Sequence, residues 1–210
     1  MDAKSAIKMP IPVTYDFLKE EYKAYASPKD KISRLVNAGE LIRLKKGLFL
    51  PCPHGGNAAV PYGLIANLLR GPSYVSLQTA LSYYGMIPEQ VFSIRSMTTK
   101  RSKAYQNPVG RFDYTTVQES YFSIGIKSIE ENGFSFLIAS PEKAICDMII
   151  TTASLRIQSA KAMREYLEDD MRIDLADLET IDCSIYDSVI QTGFKRREIE
   201  LLKEYCRNGE

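Results

Sequence analysis

Residues 27–51 read SPKDKISRLVNAGELIRLKKGLFLP. Ser27 is suited to cap a helix, Pro28 to fill its first turn, and Asp30, three residues past the cap, to complete a capping box. Ile32, Leu35 and Val36 then recur at helical spacing and make one apolar stripe. The opposite stripe carries Ser33, Arg34 and Asn37, with Lys29 and Lys31 on its flanks. Gly39 supplies a left-handed stop. Beyond it, 41–44 reads as a strand, Lys45-Lys46-Gly47 as a turn and 48–50 as the returning strand. A polar, basic helix followed at once by a hairpin with a basic tip is the layout of a winged helix-turn-helix. Its helix enters a major groove while the tip touches phosphate. Six cations (Lys29, Lys31, Arg34, Arg43, Lys45 and Lys46) stand here against two acids, Asp30 and Glu40. Each lysine alone would read as solvated surface; cap, stripe, stop and basic hairpin together read as a DNA-binding element.

Upstream, Thr14 can cap a helix in which Tyr15, Leu18, Tyr22 and Tyr25 share one side. That helix is the natural first arm, packing on Ile32, Leu35 and Val36. Residues 2–8 allow one helical turn before Pro10 and Pro12 break it. Downstream, Cys52-Pro53-His54-Gly55-Gly56-Asn57 has the composition of a linker. The expected organisation is therefore a winged helix-turn-helix over residues 1–53 and a larger α+β domain over 54–210. In that second part, Ile65, Leu68 and Leu69 predict a helix ended by Gly71-Pro72. Leu77, Ala80, Leu81 and Tyr84 predict another, ended by Gly85. Strands are expected around 91–95 and 111–117. Asn132-Gly133 between alternating apolar runs is a strong hairpin signal. Ser140-Pro141-Glu142 opens a helix with Ala144, Ile145, Met148 and Ile149 inward. Helices over 157–170, 174–181 and 195–206 form an acidic tail. The sheet is expected to be mainly antiparallel and the tail helical.

The 210 residues can bury a substantial core, and 45% of them are hydrophobic and 25% charged. The opening MDAKSAIKMPIP has no apolar leader and no stretch approaches a membrane span, which points to a cytoplasmic protein with no membrane partner. Four dispersed cysteines without a C-x-x-C indicate neither a disulfide frame nor a zinc site. The net charge of +1 hides an asymmetry. Residues 1–50 carry ten cations and six acids, whereas 112–150 carry two and six, and 151–210 nine and thirteen. Residues 95–111, RSMTTKRSKAYQNPVGR, hold five cations and no acid. With Lys100, Arg101 and Lys103 around Tyr105, this run reads either as a solvated loop between strands or as a second patch facing DNA phosphate or a partner protein.

Catalytic signatures are sparse. His54, the only histidine, lies in the linker and has no second ligand to anchor a metal. No phosphate-loop or dinucleotide fingerprint occurs, so no cofactor is expected. Glu142 and Lys143 are adjacent at a helix start rather than alternating on a strand as a nuclease metal site requires. Asp147 reads as an anchor from that helix to the sheet, and Cys146 as a small buried hydrophobe.

Three segments, RLKKGLFLP (43–51), SYVSLQTALSYYG (73–85) and ASPEKAICD (139–147), together resemble the AbiEi family of bacterial antitoxins. The likeness runs from about residue 27 to about residue 152 and departs from the family in the proline-interrupted opening. It implies an N-terminal winged helix joined to a larger C-terminal domain, and autorepression of an operon through a double-stranded DNA operator. It also implies phage defence by neutralising, directly or indirectly, a nucleotidyltransferase-type toxin, with no catalytic activity. Two other readings stand beside it: a nucleic-acid-processing enzyme positioned by its winged helix, and a repressor whose second domain senses a ligand.

Overall fold

In the computed structural model, which describes residues 11–52, 60–88, 92–174 and 182–208, the chain is α+β. It begins with a two-residue strand β1 (Val13–Thr14), then helices α1 (Tyr15–Glu21) and α2 (Pro28–Asn37), then the hairpin β2 (Leu41–Lys45) and β3 (Leu48–Pro51). The local signals act as expected. Thr14 accepts the amide of Phe17 at 3.2 Å, and Ser27 that of Asp30 at 3.4 Å, each satisfying a donor that the helix leaves open. Gly39 ends α2 with a positive φ of 74°. The three strands form an antiparallel sheet in the order β1-β3-β2.

That small sheet is apolar on both faces. Leu41 and Phe49 face α1 and α2, closing a core with Val13, Leu18, Tyr22, Ile32 and Leu35. Leu44, Leu48 and Leu50, on the alternate positions, face the other way and join the larger core of the molecule. The hairpin therefore belongs to both cores. Residues 2–8, the linker from Pro53 and His54 lie outside the described residues, as does most of the helix expected over 174–181.

The second part runs α3 (Tyr62–Leu69), β4 (Ser73–Val75), α4 (Leu77–Tyr83), β5 (Ser93–Thr98), β6 (Lys103–Asn107), β7 (Gly110–Thr116), α5 (Glu119–Phe122), β8 (Ile126–Glu131), β9 (Phe134–Ala139) and α6 (Pro141–Thr151). The tail follows with α7 (Ala160–Glu165), continued as a π-helical turn (Tyr166–Asp170), α8 (Ser184–Gln191) and α9 (Arg196–Asn208). Six strands form one sheet in the order β6-β7-β5-β4-β9-β8. The expectation of a mainly antiparallel sheet is corrected: the sheet is mixed, with β5 parallel to β7 and β4 parallel to β9. After β5 the chain skips one place and lays β6 at the edge, so that β7 returns between them in β5's direction. The Asn132-Gly133 hairpin forms as read, with both residues at positive φ. A hairpin signal fixes β8 against β9 and leaves β9's other neighbour open.

The junction of β4 and β9 is narrow, a single pair, Val75 with Ile138. Asn67 on α3 takes over beyond it, accepting the amide of Leu137 at 2.6 Å and donating to its carbonyl at 3.3 Å. Gly63 lets α3 come this close, since a Cβ there would lie 2.2 Å from the ring of Phe136. Helix α6 is buried nearly all round, packed between the sheet and α4, α8 and α9.

Candidate nucleic-acid interface

Helix α2 buries Ile32 and Leu35 and leaves Lys29, Ser33, Arg34 and Asn37 exposed. Ser33 donates back to the carbonyl of Lys29 at 3.0 Å, an intrahelical bond that leaves the hydroxyl on the outer face. Lys31 is half-buried, with its ammonium 5.2 Å from the ring centre of Tyr25 and 6.0 Å from that of Tyr22. Its charge leans on the aromatic side of the helix rather than out with Arg34. Between α2 and the hairpin lies a groove of about 300 Å³. Lys29 and Ser33 form one wall, Arg43 and Lys46 the other, and Ile32 and Phe49 the floor. The Arg43 guanidinium stands 5.5 Å from the ring centre of Phe49, which holds it at the rim. Three cations from two elements thus border one apolar-floored groove.

Lys45 goes elsewhere. Expected in the turn, it is the last residue of β2, and its ammonium donates to the carbonyls of Leu69 at 2.6 Å and Leu68 at 3.2 Å. Those are orphan acceptors at the C-terminus of α3, where a cation is favoured. Its pKa is lowered, chiefly by burial and further by the charges of Lys100, Arg70 and Lys103, against an opposing effect of Tyr105.

The basic run 95–111 is loop only in part: it supplies most of β5, all of β6 and the start of β7, and Lys100 and Arg101 lie in the connection between β5 and β6. Lys100 donates to the carbonyl of Gly71 at 2.5 Å, and Arg70 donates to that of Arg101. Asn107 donates to the carbonyl of Leu44 at 3.2 Å, which pins β6 to the hairpin. Lys103 lies 4.8 Å over the ring of Tyr105, and Arg101 and Lys103 are exposed. The two basic stretches, 50 residues apart in the chain, therefore meet around the end of α3. Arg70 belongs to this cluster and was missed from sequence, because one arginine at a helix end carries no pattern.

Glu142, Lys143, Cys146 and Asp147, weighed for catalysis, are enclosed. Asp147, fully buried, accepts from Ser76 and Tyr121 at 2.5 Å each and from Tyr74 at 3.4 Å, and lies 3.6 Å from the Lys143 ammonium. It knots α6 to β4, α4 and α5, the anchoring role expected of it. Lys143 also donates to the carbonyl of Tyr121 at 2.9 Å. Burial raises the pKa of Asp147, opposed by Lys143 and its hydroxyl partners, and lowers that of Lys143 to about 8. Glu142 is 5% exposed and accepts the amide of Asp182 at 3.1 Å. Burial raises the pKa of Cys146, away from thiolate chemistry. Among the described residues no helix is long and apolar enough to cross a membrane. No protein-family model matches the chain, and no curated protein matches it.

Proposed function

We propose that the N-terminal elements form a winged helix-turn-helix and that the protein is a DNA-binding transcriptional regulator of the antitoxin type. The observation that carries the DNA reading is the outer face of α2. Arg34, Ser33 and Asn37 stand exposed on it, and Lys29, Arg43 and Lys46 flank it around one groove. A guanidinium at Arg34 can donate twice to guanine O6 and N7, and Asn37 can pair likewise with adenine. Lysines such as Lys29 and Lys46 suit phosphate, as point charges without sequence preference. The antitoxin role, autorepression and opposition to a nucleotidyltransferase-type toxin rest on the resemblance of residues 43–51, 73–85 and 139–147 to AbiEi proteins.

The test of the DNA reading is a pair of titrations at fixed salt, using the DNA upstream of the protein's own gene and a scrambled duplex. Arg34→Ala is expected to cost about 1–3 kcal/mol on the upstream DNA and little on the scrambled duplex. Lys46→Ala is expected to weaken both alike. Equal losses for Arg34→Ala on the two duplexes would remove α2 as the base-reading element. Co-expression with a neighbouring toxin gene, if one adjoins, tests the antitoxin part: rescue of growth supports it and continued toxicity sinks it.

A further inference from the structure

A second groove, of about 340 Å³, lies on one face of the six-stranded sheet and plays no part in the DNA reading. The register defines its floor. Val75 pairs with Ser96 and Ile138, so Ile94 and Phe136, each two residues along, point to the same side. Glu131, two residues past the partner of Phe136, points there too from the edge strand. Tyr62, the first residue of α3, and Tyr83, the last of α4, stand at the mouth, 55% and 46% exposed. The rings of Tyr83 and Phe136 meet at 89° with centroids 6.1 Å apart, forming the corner of an aromatic box. The walls are set before any ligand arrives. Thr79 on α4 accepts the amide of Arg95 at 2.9 Å and donates to the carbonyl of Ser93 at 3.2 Å, locking α4 to β5.

Two half-exposed tyrosines thus flank one apolar hollow, a rim suited to a ligand with an apolar body. Ring faces attract positive charge as well as hydrocarbon, and among the described residues Glu131 is the one acidic side chain lining the groove. We infer that this groove is a binding site for a small organic cation, an amine or quaternary ammonium on a compact hydrophobic body. Tyr62, Tyr83 and Phe136 take the body and the charge, and Glu131 supplies the counter-ion. The volume lies near the lower end for small-molecule pockets, about 300 Å³, which limits the ligand to one ring or a short chain.

The experiment titrates the full chain with phenyltrimethylammonium, with benzyl alcohol as the neutral comparator and benzoate as the anionic one, following backbone amide resonances. The expected result is saturable shifts at Gly63, Thr79 and Ser82 with the cation, and weaker ones with the other two. Glu131→Gln should weaken the cation about three- to tenfold and leave benzyl alcohol unchanged. Its denaturation midpoint, compared with the wild type, confirms that the fold is intact. Equal affinity for all three probes, or a cation affinity unchanged by Glu131→Gln, overturns the proposal. Tighter binding of benzoate also overturns it and assigns the groove to the N-terminus of α3. The DNA titrations are independent of either result.

Discussion

Lys143 and Asp147 stand one helical turn apart on α6, both without solvent contact. Removing a lysine from water disfavours its charge, and here that outweighs the nearby carboxylate, bringing the pKa to about 8 from 10.5. Between those two values the unfolded chain holds a proton on this lysine that the folded chain has lost. Unfolding free energy therefore rises with pH across that window, by up to about 1.4 kcal/mol per pH unit. Burial also raises the phenol pKa values of Tyr74, Tyr121 and Tyr186. Their effect has the opposite sign and begins near the ordinary tyrosine value of 10.0, and that of the buried thiols Cys146 and Cys206, raised likewise, begins near 9.0. The lysine's share is therefore read as a difference between the wild type and a Lys143→Met, Asp147→Asn double variant, which removes both charges and avoids an unpaired one. In urea unfolding from pH 8 to 10, the wild type's stability relative to that variant should rise with pH. A flat difference would place the titrating group elsewhere.

At the scale of elements, the edge strand β6 with the connection leading into it, and the hairpin β2–β3, divide the basic residues into two kinds. Arg101 and Lys103 are exposed, whereas Lys45 is tied to the end of α3. Replacing Arg101 and Lys103 by Ala should flatten the salt dependence of DNA binding, each lost phosphate contact removing about 0.9 from the log–log slope. Lys45→Ala should leave that slope unchanged and lower the thermal midpoint, because two helix-end carbonyls lose their donor. An unchanged slope in the first variant would exclude β6 from the DNA-facing surface. Elements with local signals were legible in the sequence: the cap and stripe of α2, the Asn132-Gly133 turn, and the Ser140-Pro141 start of α6. Strand β6 was not, since Lys103, Ala104 and Gln106 are exposed and only Tyr105 and Asn107 half-buried, which leaves no apolar period on this basic edge. Strand order was also hidden, because parallel pairing of β5 with β7 depends on a skipped position that no residue marks. Most of the groove-bordering side chains of α2 could be named beforehand. The displacement of Lys45 could not, for its partners are backbone carbonyls more than twenty residues away.

Across the whole molecule, the hairpin is shared between two cores rather than hung from one of them. A chain ending after Cys52 would keep α1 and α2 but present Leu44, Leu48 and Leu50 to water. Burying a leucine side chain is worth about 1.5–3 kcal/mol, so the loss approaches the margin on which a small domain stands. Such a fragment is expected to be poorly folded. In the full chain, denaturant unfolding read at α2 and at β5–β7 should coincide in one transition. Two separated transitions would show that residues 11–52 stand alone.

The hairpin's double allegiance also shapes the genetics. A screen for alleles that abolish DNA binding should return more than the exposed Arg34 and the groove-lining Lys29 or Arg43. It should also recover lesions at Leu44, Leu48 and Leu50, which are buried in the larger core. The two kinds of allele are separable by temperature. Interior lesions tilt a folding equilibrium and regain function on cooling, whereas groove lesions remove a contact and fail at every temperature.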